Sequence, residues 1–151
     1  MPYDGSVYHK AQDPVLGRLT QARDRLADRR HWISGKYFEE DSRGHQYCIL
    51  GALSADPEHD GCMAHDAVGQ AAAIWLAGRI TGTEMSFLHA SRMIYNLNDG
   101  YAALEYVSHS AAGFLILARH RHVNGHKRVI DFLDDAIAAR ERELSEAPLA
   151  L

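Results

Sequence analysis

Apolar residues recur three or four positions apart through most of this chain, the spacing of helices that bury one face. Val15, Leu16, Leu19, Ala22 and Leu26 form the first such stripe, which opens at Asp13-Pro14 and runs to about Arg30. Aspartate accepts hydrogen bonds from the unsatisfied N–H groups of a first turn, and proline is tolerated at the first helical position. Val68, Ala71, Ala72 and Trp75 form a second stripe, which predicts a helix from Met63 to about Arg79. Thr81-x-x-Glu84 has the spacing of a capping box, so the next helix is expected to run from there to Asn96, burying Phe87, Leu88, Ser91, Ile94 and Tyr95. Asn98-Asp99-Gly100 reads as its stop, since glycine readily takes the left-handed conformation that closes a helix. Residues 101–120 form a further helix, whose AAGFLILA stretch is apolar on all sides and belongs at the centre of the fold or in a subunit contact. The last helix, His126 to about Leu144, turns Val129, Ile130, Leu133, Ala136 and Ile137 inward.

One region breaks the rhythm. Ile33 to Gln46 holds glycines at 35 and 44 and the acidic run Glu39-Glu40-Asp41. A short helix is expected to begin near Tyr47 or Cys48 and end at Asp56-Pro57, with a short strand over residues 46–50 as the alternative. The expectation is an all-α fold: a compact bundle of five to six helices, with a short strand or hairpin around residues 33–50. Residues 1–12 read as a polar arm, 13–145 as a single helical domain and 146–151 as a frayed tail.

Composition narrows the function classes. A chain of 151 residues fits one domain with a full core. Its net charge of −4 provides no basic field to gather nucleic acid, and ten histidines make that balance sensitive to pH. The first helix carries Arg18, Arg23, Arg25, Arg29 and Arg30 on its outer face, interleaved with Asp24 and Asp28; a solvated face with ion pairs is the expectation. Two cysteines do not make a disulfide framework, which suggests a reducing compartment. The greasiest run, Ala111 to Ala118, falls far short of the roughly 20 residues that span a bilayer. The N-terminal MPYDGSVYHK lacks the layout of a signal peptide, so the expected location is cytoplasmic.

Four constellations carry candidate chemistry. Cys48 near a helix N-terminus would have its thiolate favoured there, with His45 as base and the Gln46 amide as an oxyanion donor, a cysteine hydrolase or acyl-transfer site. The plainer account is that Cys48 is a small buried residue leading into Gly51-Ala52, where a neighbouring helix approaches closely. His59-x-x-Cys62-x-x-His65, with His45 and Cys48 upstream, offers the sulfur and imidazole donors that suit zinc. It lacks a firm C-x-x-C element, and solvent-facing loop histidines are the plainer account. Arg119, Arg121, His122, His126 and Lys127, with His120 and Arg128, form the one cationic cluster. It could hold an anion at the start of the last helix or simply cap the helix before it. Asn98-Asp99 could orient a nucleophile or ligand, but such residues beside glycine are first of all turn formers.

The run of Trp32, Gly35, Gly44, Cys48 and Gly51-Ala52-Leu53 after an amphipathic helix resembles a domain of unknown function found in small bacterial and phage-associated helical proteins. Those proteins continue with an Asn-Asp pair and a final amphipathic helix. Asn98-Asp99, or Asn124-Gly125 with its Asp lost, takes the first place here, and Val129 to Leu133 the second. Residues 101–123 replace an expected short connection. The resemblance implies a fold and no activity. The functional expectation is therefore a non-enzymatic binding or accessory protein, phage or mobile-element associated, acting on a protein or small ligand. No cofactor, membrane or nucleic-acid partner is expected, and the 101–120 and 126–144 helices are the expected homodimer contact. A cysteine hydrolase on Cys48 and a zinc protein on His59, Cys62 and His65 are the alternatives.

Overall fold

The Asp13 carboxylate accepts from Leu16 N–H at 2.8 Å and Pro14 occupies the first helical position, so α1 (Pro14–Leu26) starts where the sequence places it. In the computed structural model, residues 12–34, 38–41, 44–56, 64, 66–99 and 125–146 are described. Expectations for the N-terminal arm, for His59, Cys62 and His65, for the 101–120 helix and for residues 147–151 lie outside them. α1 stops at Leu26, short of Arg30, because Asp28 caps a separate turn of 3-10 helix, Arg29–His31, by accepting from Arg30 N–H at 2.9 Å.

The broken region folds as an antiparallel hairpin, β1 (Phe38–Asp41) and β2 (Gly44–Tyr47), with Glu40 opposite His45 and Phe38 opposite Tyr47. Gly44 leaves the turn at φ +100°, where a side chain would be strained. Ile33 N–H donates to Tyr47 O at 3.0 Å, so the chain after the 3-10 turn lies along the second edge of β2. Among the described residues four helices follow: α2 (Ile49–Ala52), α3 (Ala67–Thr81), α4 (Phe87–Asp99) and α5 (Gly125–Glu146). The fold is all-α with a small hairpin, as the hydrophobic pattern implies. None of the described helices is long and apolar enough to cross a membrane.

α1 lies against α2, α3 and α5, while α4 packs on α3 and also meets α2 and α5. Leu19, Leu26, Leu50, Leu76, Ile94 and Phe132 are among the fully buried side chains at the centre. α5 spends its apolar face, Val129, Phe132 and Leu133, on this core.

Two faces differ from the sequence reading. In α3 nearly every position is apolar or small, so periodicity does not select a face; Ala71 is exposed and Ala73, Leu76, Ala77 and Ile80 are buried. Thr81-x-x-Glu84 is not a capping box. Thr81 is the last residue of α3, its hydroxyl bonds back to Ala77 O at 3.1 Å, and Gly82 closes the helix at φ +76°. α4 starts at Phe87 instead, with Ser86 Oγ accepting from His89 N–H at 3.4 Å. That leaves Leu88 71% exposed, and turns Ala90, Met93, Ile94 and Leu97 inward.

The arginine face of α1 is likewise more than solvated. Arg23–Asp134 and Arg30–Asp28 are ion pairs of the expected kind. Arg18 instead bonds Leu53 O at 3.0 Å and Asp66 at 2.8 Å, and Arg25 bonds Ala52 O at 2.8 Å and also Ser54 O and Ala55 O. A four-residue helix leaves most of its carbonyls unsatisfied, and these two guanidinium groups take up those at the end of α2. Asp66 caps α3 and also accepts from Ala55 N–H at 3.1 Å.

Asn98 is the other departure. It is not a turn residue but a fully buried one within α4. Its Oδ1 accepts from Trp32 Nε1 at 3.0 Å and from Ile49 N–H at 3.1 Å. Its Nδ2 donates to Ile33 O and to Asp99 Oδ1, each at 3.0 Å. Arg128 of α5 caps the same helix end through Leu97 O and Asn98 O at 2.9 and 3.0 Å. Gly125 sits under the Trp32 ring, where a Cβ would collide with it.

Asn98→Ala strands the Trp32 and Ile49 donors and the Ile33 acceptor. The fully buried Ile49 N–H left unpaired costs about 1–3 kcal/mol and the half-buried Trp32 and Ile33 groups cost less, so denaturant titration should show a loss of roughly 2–4 kcal/mol with an unchanged m-value. Two half-buried, paired carboxylates contribute to the acid limit. Asp13 is held below the ordinary carboxylate range by its two bonds to Arg140, at 2.9 Å each, against the opposing effect of burial. For Asp66 burial pushes upward, but Arg18 and the N–H groups of Gly69 and Ala55 outweigh it and its pKa is lowered. A carboxyl depressed in the folded state stabilises above its unfolded pKa, and that contribution disappears as pH falls through the folded value. The melting temperature should therefore hold above about pH 5 and fall progressively below about pH 4. Asp13→Asn should flatten that acid slope.

Candidate functional site

Between α1 and the hairpin lies an open groove of about 420 Å³, lined among the described residues by Asp24, Arg25, His31, Gly44, His45 and Tyr47. Each wall has a local cause. Asp28 caps the 3-10 turn and so delivers His31 at its end. His31 Nδ1–H then donates to His45 O at 2.8 Å, which ties the turn to β2. That bond places a proton on Nδ1, so in the neutral imidazole Nε2, on the opposite edge of the ring, is left as an acceptor.

Strand alternation places His45 and Tyr47 on one face and buried Gln46 on the other. The two rings meet edge-on with centroids 6.5 Å apart, and His45 Nδ1 lies 3.5 Å from the Tyr47 hydroxyl. The other imidazole nitrogen, Nε2, is 3.4 Å from the Glu40 carboxylate across the hairpin. The Arg25 guanidinium is drawn to the carbonyls at the end of α2.

Cys48 is the N-cap of α2 and is fully buried, its Sγ accepting from Gly51 N–H at 3.4 Å. The groove brings His45 to Tyr47, whereas Cys48 goes to the core with Ile49 and Leu50. His126 and Lys127 are both engaged. His126 Nε2–H donates to Leu26 O at 2.7 Å beside Trp32, and Lys127 pairs with Asp131 at 2.8 Å. Arg119, Arg121 and His122 lie outside the described residues, as do His59, Cys62 and His65. Among the described residues no three His, Cys, Asp or Glu side chains converge as a metal site would require.

Residues 10–139 match the model of a family described as a family of unknown function, DUF6197. The chain belongs to that family. The DUF6197 match takes in α1, the hairpin, α2 to α4 and most of α5, so the groove, Cys48 and Asn98 all fall within it. No curated protein and no solved structure matches the chain. The resemblance to a domain of unknown function read from Trp32 to Leu53 agrees with this match.

His31, Asp24 and Tyr47 are absent from the sequence-level candidates. Only the alternation of His45 and Tyr47 after a turn-forming Gly44 hints at them. Iodoacetamide at neutral pH should leave Cys48 unmodified in the native DUF6197 chain and alkylate it once urea unfolds the protein, resolved by peptide mass spectrometry. Rapid native labelling would contradict the burial.

Proposed function

We propose that the protein is a non-enzymatic binding module whose ligand seats in the groove between α1 and the hairpin. The observation that carries this reading is the groove itself: an open concave site lined by a carboxylate, a guanidinium, two imidazoles and a phenol from α1, the 3-10 turn and the hairpin. The thiol that would serve a hydrolase stands apart from it. Cys48 has no exposed surface and its sulfur accepts from a backbone N–H, which supports a structural cysteine.

Histidine and tyrosine ring signals followed by NMR through a mixed library of small fragments test the proposal. Saturable shifts confined to His31, His45 and Tyr47, retained in Cys48→Ala, are the expected result. Hydrolysis of an activated ester or thioester that disappears in a folded Cys48→Ala variant would instead assign the protein to cysteine chemistry.

A further inference from the structure

We propose that the groove selects an organic cation, an ammonium or guanidinium group, seated between Asp24 and His31 against the Tyr47 ring. This rests on the binding-module reading and names the class of ligand. The first reason is the polarity of what the groove offers. His31 Nδ1–H is committed to His45 O, so the nitrogen remaining, Nε2, presents a lone pair. Asp24 is exposed on α1 and lines the groove, and an ionised carboxylate accepts only. Two acceptors from two elements suit a ligand rich in N–H donors.

The second reason is where the nearby positive charge goes. Arg23 reaches across to Asp134 at 2.8 Å. Arg25 contributes to the groove wall, but its guanidinium donates to Ala52 O, Ser54 O and Ala55 O at the end of α2. An oxyanion in the groove would face Asp24 and the His31 lone pair without those donors. Glu40, just outside the lining, pairs with His45 Nε2 at 3.4 Å and adds a carboxylate near the hairpin wall. Tyr47 lines the groove as well, and a tyrosine ring can attract a cation.

Agmatine, which carries an ammonium at one end and a guanidinium at the other, is a suitable probe, with butyrate and n-butanol as anionic and neutral controls at constant ionic strength. Backbone amides of Asp24 and Gly44 and the His31 ring signals report on the groove by NMR. Agmatine should shift these signals saturably, butyrate should not, and Asp24→Asn should weaken agmatine about tenfold at an unchanged melting temperature, the scale of one charge-assisted hydrogen bond. Saturable shifts from butyrate or butanol but not agmatine would overturn the cation assignment and leave the binding module standing. Equal agmatine affinity in wild type and Asp24→Asn would overturn the assigned seat. Silence at these residues from every fragment class would remove the cation and the binding-module reading together.

Discussion

A single buried amide holds this fold together. Asn98 lies in α4, yet its four hydrogen bonds reach the indole of Trp32, the carbonyl of Ile33, the first N–H of α2 and its own neighbour Asp99. Those partners open the strand-like segment beside β2 and begin the short helix that follows the hairpin. Burying polar groups without partners is costly, so the chain can leave the core and return at this point only where one side chain satisfies both ends. An amide, with two donors and a carbonyl oxygen of two lone pairs, can do this; neither a carboxylate nor an aliphatic residue of similar size can.

α2 is the second dependency. Four residues cannot hold a helix by their own hydrogen bonds. Here the start is satisfied by Asn98 and by the Cys48 sulfur, and the end by Arg18 and Arg25. The arginines are therefore structural members whose charge is turned inward, and Asp66 balances Arg18 while also starting α3. Gly69 completes the joint, since an added Cβ would meet Leu53 O at 2.9 Å and Asp66 Oδ1 at 2.8 Å.

The pattern of residue types makes α1 and the all-α architecture legible, because Asp13-Pro14 and the Val15–Leu26 stripe act locally. The facing of α3 is hidden, since Ala67–Thr81 is apolar around most of its circumference. Thr81 and Asn98 mislead for a shared reason. Both are strong local signals, for a cap and a turn, and both are redirected by partners the local sequence does not contain. The groove is harder still to read: its lining comes from α1, the 3-10 turn and β2, and the bonds that tie the turn to β2, His31 to His45 O and Ile33 N–H to Tyr47 O, are not written in any local pattern. Cys48 was legible as one of two readings, and its burial favours the structural one.

Trp32 and Ile33, gripped by Asn98, follow directly on His31, and Ile33 N–H pairs with Tyr47. Both sides of the groove's hairpin wall thus hang from a residue of α4, more than fifty positions along the chain. A ligand seated in the groove as proposed would therefore be linked to folding: it would brace the segment that Asn98 holds at the end of α4, beside the Arg128 cap, and loosening that helix end would weaken its seat. The distal helices, which contribute no side chain to the described lining, would then be a lever on its affinity.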